Sequence, residues 1–195
     1  MSSIRVTIHC NGRAEGRILA KPILEYEVQP PKYVEYDPAV VYVAGRVIAL
    51  IESAAPWVKV EHIGSTAVPG CAGKGIVDLV ALYRVGRLAA TRKAIDALGF
   101  QPQRVGHAFP EDRPMRVGAI EHEGRVYRLH VHIVAEDSEE VGQLRHFRDA
   151  LRADSALRDD YESKKRAILQ TGQSEPVGYT RAKGDFINAV LATQR

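Results

Sequence analysis

Residues 61–83 read EHIGSTAVPGCAGKGIVDLVALY, and this stretch decides the fold. Its last eight residues, IVDLVALY, form a nearly unbroken apolar run, the pattern of a strand buried on both faces. Residues 57–63 alternate in polarity and predict a second strand ahead of it. Between the two lies GSTAVPGCAGKG, with glycines at 64, 70, 73 and 75, hydroxyls at Ser65 and Thr66, and Lys74. Glycine removes the Cβ that would keep a phosphate from the backbone N–H groups, serine adds a donor, and Lys74 adds a point charge. The loop therefore either faces a phosphate or is a wide connection whose glycines serve turn geometry alone. A Walker loop is excluded, because its lysine enters a helix and Lys74 leads into a strand.

Asp78 interrupts the apolar run. An ionised carboxylate on a buried strand costs several kcal/mol unless it is paired or bound to a metal. It is thus either a functional carboxylate or part of a structural network.

Upstream, Val40, Val43, Val47, Ile48 and Ile51 recur at three- and four-residue steps and predict a helix over Ala39–Ala54, with Asp37 and Pro38 at its start. Residues 4–10 and 18–28 read as strands of a hairpin, although Pro22 interrupts the second, and the proline-rich residues 29–38 read as a loop. Downstream, residues 85–98 predict a helix ended by Gly99, then come strands at 100–105, 116–120 and 125–134, the last two joined as a hairpin through 121–124. Residues 139–151, 154–170 and 180–193 carry helical periodicity. The acidic run 136–140 reads as a solvated helix start, where carboxylates favour the positive end of the dipole. The class is α+β, a central mixed sheet with flanking helices and a helical C-terminal segment. The organisation is an N-terminal β extension over 1–31 and one domain over 32–195.

A second constellation is RLHVHIV, residues 128–134. Side chains two apart on a strand share a face, so Arg128, His130 and His132 project together while Leu129, Val131 and Ile133 enter the core. Two imidazoles at this spacing suit metal chelation or proton transfer, and the arginine suits phosphate; the alternative is a solvated strand face. In the last third, Arg148, Arg152, Lys164 and Lys165 lie on helices, and Tyr179 stands four residues before Lys183. These either cap an anionic ligand or form the wet side of amphipathic helices.

The blocks EHIGSTAVPG, AGK and IVD, then LHVHIV, FRDALR and YTRAKGDFI, resemble the GrpB family in that order, from about residue 36 to the end. The resemblance implies a nucleotidyltransferase-like fold related to polymerase-β-like enzymes, with a Gly-Ser turn for a nucleotide triphosphate and an acidic strand for a divalent metal. By position, Gly64 and Ser65 occupy the turn with Thr66 beside them, Lys74 the basic position and Asp78 the strand carboxylate. His130 and His132 match the His-x-His strand, Arg148 the Phe-Arg-Asp helix, and Tyr179 and Lys183 the last helix. Gly75 stands where proline is usual, and Cys71 replaces a larger apolar residue. Active nucleotidyltransferases place a second carboxylate two residues after the first, and here that position is Val80.

The expected catalytic residues are therefore Asp78, His130 and His132, which are also the expected ligands of Mg²⁺ or another divalent cation. Gly64, Ser65, Thr66, Lys74, Arg128, Arg148, Tyr179 and Lys183 are expected to bind a nucleotide or other phosphate-bearing small molecule. The two readings are a nucleotidyl- or phosphoryl-transfer enzyme and a non-catalytic phosphate-binding module. A net charge of +3 gives no case for duplex nucleic acid, and the absence of a long apolar run argues against a membrane span. Two distant cysteines and no secretory segment point to a cytoplasmic protein. Residues 1–31 either add strands to the sheet or form a pairing surface in a homodimer.

Overall fold

The computed structural model describes residues 21–30, 32–103, 109–110, 112–170 and 176–192. Helix α1 (Ala39–Ala54) has the bounds its periodicity predicts and buries Val40, Val43, Val47 and Ile51. Asp37 secures its start: Oδ1 accepts the Ala39 N–H at 3.0 Å, and Oδ2 accepts the Tyr127 hydroxyl at 2.8 Å.

Strands β1 (Lys59–Ile63) and β2 (Ile76–Tyr83) follow, then helix α2 (Leu88–Ala97), strands β3 (Gln101–Pro102), β4 (Met115–His122) and β5 (Arg125–Ala135), and helices α3 (Glu139–Ala153), α4 (Ser155–Gln170) and α5 (Pro176–Ala192). The β4–β5 hairpin turns on Glu123 and Gly124, both at positive φ, the geometry that matches strand twist. Helix α2 begins three residues later than its periodicity predicts, because Gly86 at φ +80° bends the chain ahead of it. Of the strand expected over 100–105, Gln101 and Pro102 pair as strand among the described residues, and 104 and 105 lie outside them. Of the N-terminal hairpin, residues 4–20 lie outside the described residues; from 21 to 28 only Leu24 pairs, in an isolated bridge to Ala119. Proline at 22 offers no N–H to extend that pairing.

The sheet runs β1-β2-β5-β4-β3, with β2 and β5 parallel and the other pairs antiparallel, so the class is α+β with a mixed sheet. One face carries Val77, Leu79, Ala81, Leu129, Val131 and Ile133 into the main core with α1 and Ile95 of α2. The opposite face carries Val80, Leu82 and Val134, packed with Ile63 against Val141 and Leu144 of α3. Strand β2 is thus buried on both sides, as its run of apolar residues requires. Asp78 lies on the second face, beyond the edge of the α3 cluster.

Candidate phosphate-ligand site

The parallel pairing of β2 and β5 sets Asp78 opposite His130 and Val80 opposite His132. Asp78 Oδ1 lies 3.2 Å from His130 Nδ1. Burial alone would raise the Asp78 carboxyl; the hydrogen bond and charge of His130, with His132 and Lys183, outweigh it and hold the pKa below the ordinary carboxylate range. The aspartate is therefore an anion and can only accept. His130 Nε2 in turn meets the Tyr26 hydroxyl at 3.2 Å.

The Gly-Ser turn closes over this carboxylate. Gly64 has φ +70°, and a Cβ there would stand 2.8 Å from Asp78 Oδ2, so only glycine lets the turn approach so closely. Ser65–Ala67 form one 3-10 turn. Thr66 faces inward: its hydroxyl donates to Ile76 O at 3.1 Å and so accepts from His62 Nε2 at 3.0 Å. That bond fixes His62 as the neutral Nε2–H tautomer. Burial, joined by Arg152 and Arg148 and opposed by Asp78, pulls the His62 pKa down to about 4.

Three cations surround the carboxylate and turn. Burial, then Lys183, lowers the Lys74 pKa to about 8, with Asp78 opposing and Arg128 adding to the fall. Burial also lowers Lys183, which Asp78 opposes. Arg128 donates to Lys74 O at 3.0 Å, holding the chain end of the turn against β5. Lys74 and Arg128 also line a cavity of about 160 Å³ behind the turn, with Tyr36, Tyr127, Thr66 and Gly73. Gly75 sits at φ +65°, which proline cannot adopt, so the turn here departs from the form with proline.

Other expected site residues fall elsewhere or take other partners. His132 is held by Arg113, whose Nη1 is 2.9 Å from His132 Nδ1; burial and then Arg113 pull its pKa down to about 4. Arg113 is itself paired with Glu140, so the acidic run is not merely solvated: one of its members anchors the arginine that neutralises His132. Arg148 donates to His62 O at 3.2 Å and is paired with Asp149, tying α3 to β1 rather than reaching Asp78. Glu61 shares the face of Asp78 but is spent on Arg145. The side chain of Tyr179 lies outside the described residues.

Sequence reasoning missed the clasp that shapes the turn. Arg152 of α3 donates to Ala67 O from Nε at 2.9 Å and Nη2 at 2.7 Å. Glu162 Oε1 of α4 accepts the Ala72 N–H at 3.0 Å, and Lys165 Nζ donates to Ala72 O and lies 3.3 Å from Cys71 Sγ. Lys165 is 1% exposed, so it is no part of a wet helix face. The signal was present: Leu157, Tyr161, Lys165 and Ile168 follow steps of four, four and three, which places this lysine on the apolar stripe of α4.

Among the described residues no group of three His, Cys, Asp or Glu is placed to hold a metal ion. Both His130 nitrogens and Nδ1 of His132 already have partners, and the second carboxylate position is Val80, 2% exposed beneath α3. The residues present therefore do not fit a protein-built divalent-cation centre of the kind the sequence implied.

A family model described as GrpB protein matches residues 30–193. The chain belongs to the GrpB family. A UPF0157 protein of Streptomyces coelicolor is 35% identical over 133 residues, covering 68% of this chain and 67% of the relative. Another, of Halalkalibacterium halodurans, is 28% identical over 176 residues, covering 87% and 80%. The crystal structure of conserved protein GrpB from Enterococcus faecalis superposes with a TM-score of 0.66 at 25% identity, covering 82% of this chain and 94% of that one. The GrpB match thus spans the turn, Asp78, the His130–His132 strand and the C-terminal clasp, but begins after Tyr26. No described helix is long and apolar enough to cross a membrane.

Proposed function

We propose that this GrpB chain acts on phosphate esters, as a nucleotidyl- or phosphoryl-transfer enzyme whose ligand phosphate rests on the Gly64–Ser65 turn. One observation carries the reading: the Asp78–His130 pair is pressed against a glycine turn, within electrostatic reach of Lys74 and Lys183 and next to Arg128, which binds the turn at Lys74 O. An anionic ligand offsets what burial costs those ammonium groups, which is the electrostatic signature of a phosphate site. His130, oriented through Nδ1 by the carboxylate, is the proton acceptor of the pair. The cavity beside Lys74 and Arg128 is about the size that holds one six-membered ring, which suits the non-phosphate end of a nucleotide.

A second reading, a phosphate-binding module without turnover, is favoured by Val80, since in-line transfer by two metals uses several carboxylate oxygens. Calorimetry with nucleoside triphosphates and with CoA, with and without Mg²⁺, combined with product analysis, separates the two. Binding with turnover that Asp78→Ala abolishes in a folded protein supports the enzyme. Binding without turnover under all conditions leaves the module, and the absence of binding by every one of these ligands refutes both.

A further inference from the structure

Tyr26 lies ahead of the span matched by the family model, yet it reaches the centre of the site. Its ring packs on His130 at 5.7 Å between centroids, and its backbone N–H is held by Gln101 Oε1 at 2.9 Å. The hydrogen-bond directions along the chain Tyr26–His130–Asp78 follow from donor chemistry. Ionised Asp78 only accepts, so His130 Nδ1 carries the proton. When the imidazole carries only that proton, Nε2 is an acceptor, and the hydrogen between it and Tyr26 at 3.2 Å is the phenol's own. Arg128 lies near the same phenol and its charge favours the ionised oxygen, against the burial that raises the phenol pKa. The hydroxyl thus has its proton directed at a base, with a cation nearby. Nucleophile, base and orienting carboxylate in this sequence are the parts of an activated-hydroxyl triad.

Resting on the phosphate-ester reading above, we propose that Tyr26 is the nucleophile of the site and becomes covalently modified by a nucleoside triphosphate bound at the Gly64–Ser65 turn. The Tyr26 oxygen forms a bond to phosphorus as the bond from that phosphorus to its leaving oxygen breaks, and the phenol proton passes to His130 Nε2. Attack at the α-phosphorus releases pyrophosphate with the electron pair of the broken bond and leaves a nucleoside monophosphate on Tyr26. Attack at the γ-phosphorus releases the nucleoside diphosphate and leaves a phosphate. Asp78 stabilises the imidazolium, and Arg128 faces the charge that develops at the phenol oxygen. Burial raises the phenol pKa, so the base is required.

The test incubates the full chain with ATP, GTP, CTP and UTP labelled at the α- or the γ-phosphorus, with Mg²⁺, and maps the label by peptide mass spectrometry, alongside calorimetry with the same nucleotides. The expected result is label on the peptide containing Tyr26, its source showing which bond breaks. Tyr26→Phe should carry no label while binding nucleotide as the wild type does, and His130→Gln should label about 100-fold more slowly. A wild-type chain that binds nucleotide yet leaves Tyr26 unlabelled overturns the proposal and spares the ligand reading. Equal labelling of Tyr26→Phe also overturns it. A wild type that binds none of the nucleotides overturns both.

Discussion

His62→Gln tests the buried environment under the glycine turn. In the folded chain His62 is neutral, donates from Nε2 to Thr66, and has its pKa pulled to about 4 from an ordinary 6.5. The unfolded chain binds a proton near 6.5, so this stability is fully present above pH 6.5 and is lost as pH falls toward 4. At pH 5 the unfolded imidazole is mostly protonated and the folded one mostly neutral, and the loss amounts to about 2 kcal/mol. Glutamine keeps an N–H donor for Thr66 and does not titrate. Urea denaturation of both proteins at pH 7 and pH 5 should show the wild type losing about 2 kcal/mol more than the variant over that interval. Equal losses, or an NMR titration placing His62 near 6.5, would refute the reasoning.

Lys74, with a pKa of about 8, should lose its charge as pH rises. Nucleotide affinity measured by calorimetry should therefore be about tenfold weaker at pH 9 than at pH 7, and Lys74→Met should flatten that dependence. Val80→Asp would place a charge in the apolar cluster under α3 and should cost about 3 kcal/mol or more in urea unfolding; undiminished stability would show that this position opens to solvent. Lys165→Ala would strip Ala72 O and Cys71 Sγ of their shared donor and should destabilise by about 2 kcal/mol, read from thermal unfolding; it also removes the cation that opposes the burial-driven rise of the Cys71 pKa, so the folded thiol should react more slowly with alkylating reagents.

What was legible in the sequence is what depends on periodicity over short spans. Helix α1 and strand β2 have the bounds their apolar spacing predicts, and the alternation of Arg128, His130 and His132 placed all three on one face. The pairing of β2 with β5 was not legible. It sets Asp78 beside His130 across a sequence separation that no local pattern reports. Charged side chains were misjudged for the same reason. Arg152 looks like helix surface until its target, Ala67 O, is brought to it, whereas the apolar spacing around Lys165 did mark that lysine as inward-facing. The role of Arg148 also shifted, since its guanidinium binds the backbone of His62 instead of facing the carboxylate. Tyr26 lay in a segment expected to be a strand, where nothing nearby marks its hydroxyl.

The clasp on the turn has a consequence for the order of events during synthesis. Ala67, Ala72 and Cys71 are gripped by residues 85 to 94 positions later in the chain. A nascent polypeptide that has emerged only as far as β5 already contains the turn, Asp78 and His130 but lacks every one of those grips. Closing such distant contacts is slow relative to forming local helices. The sheet can therefore form first, and the turn acquires its clasp only once α3 and α4 have left the ribosome and docked.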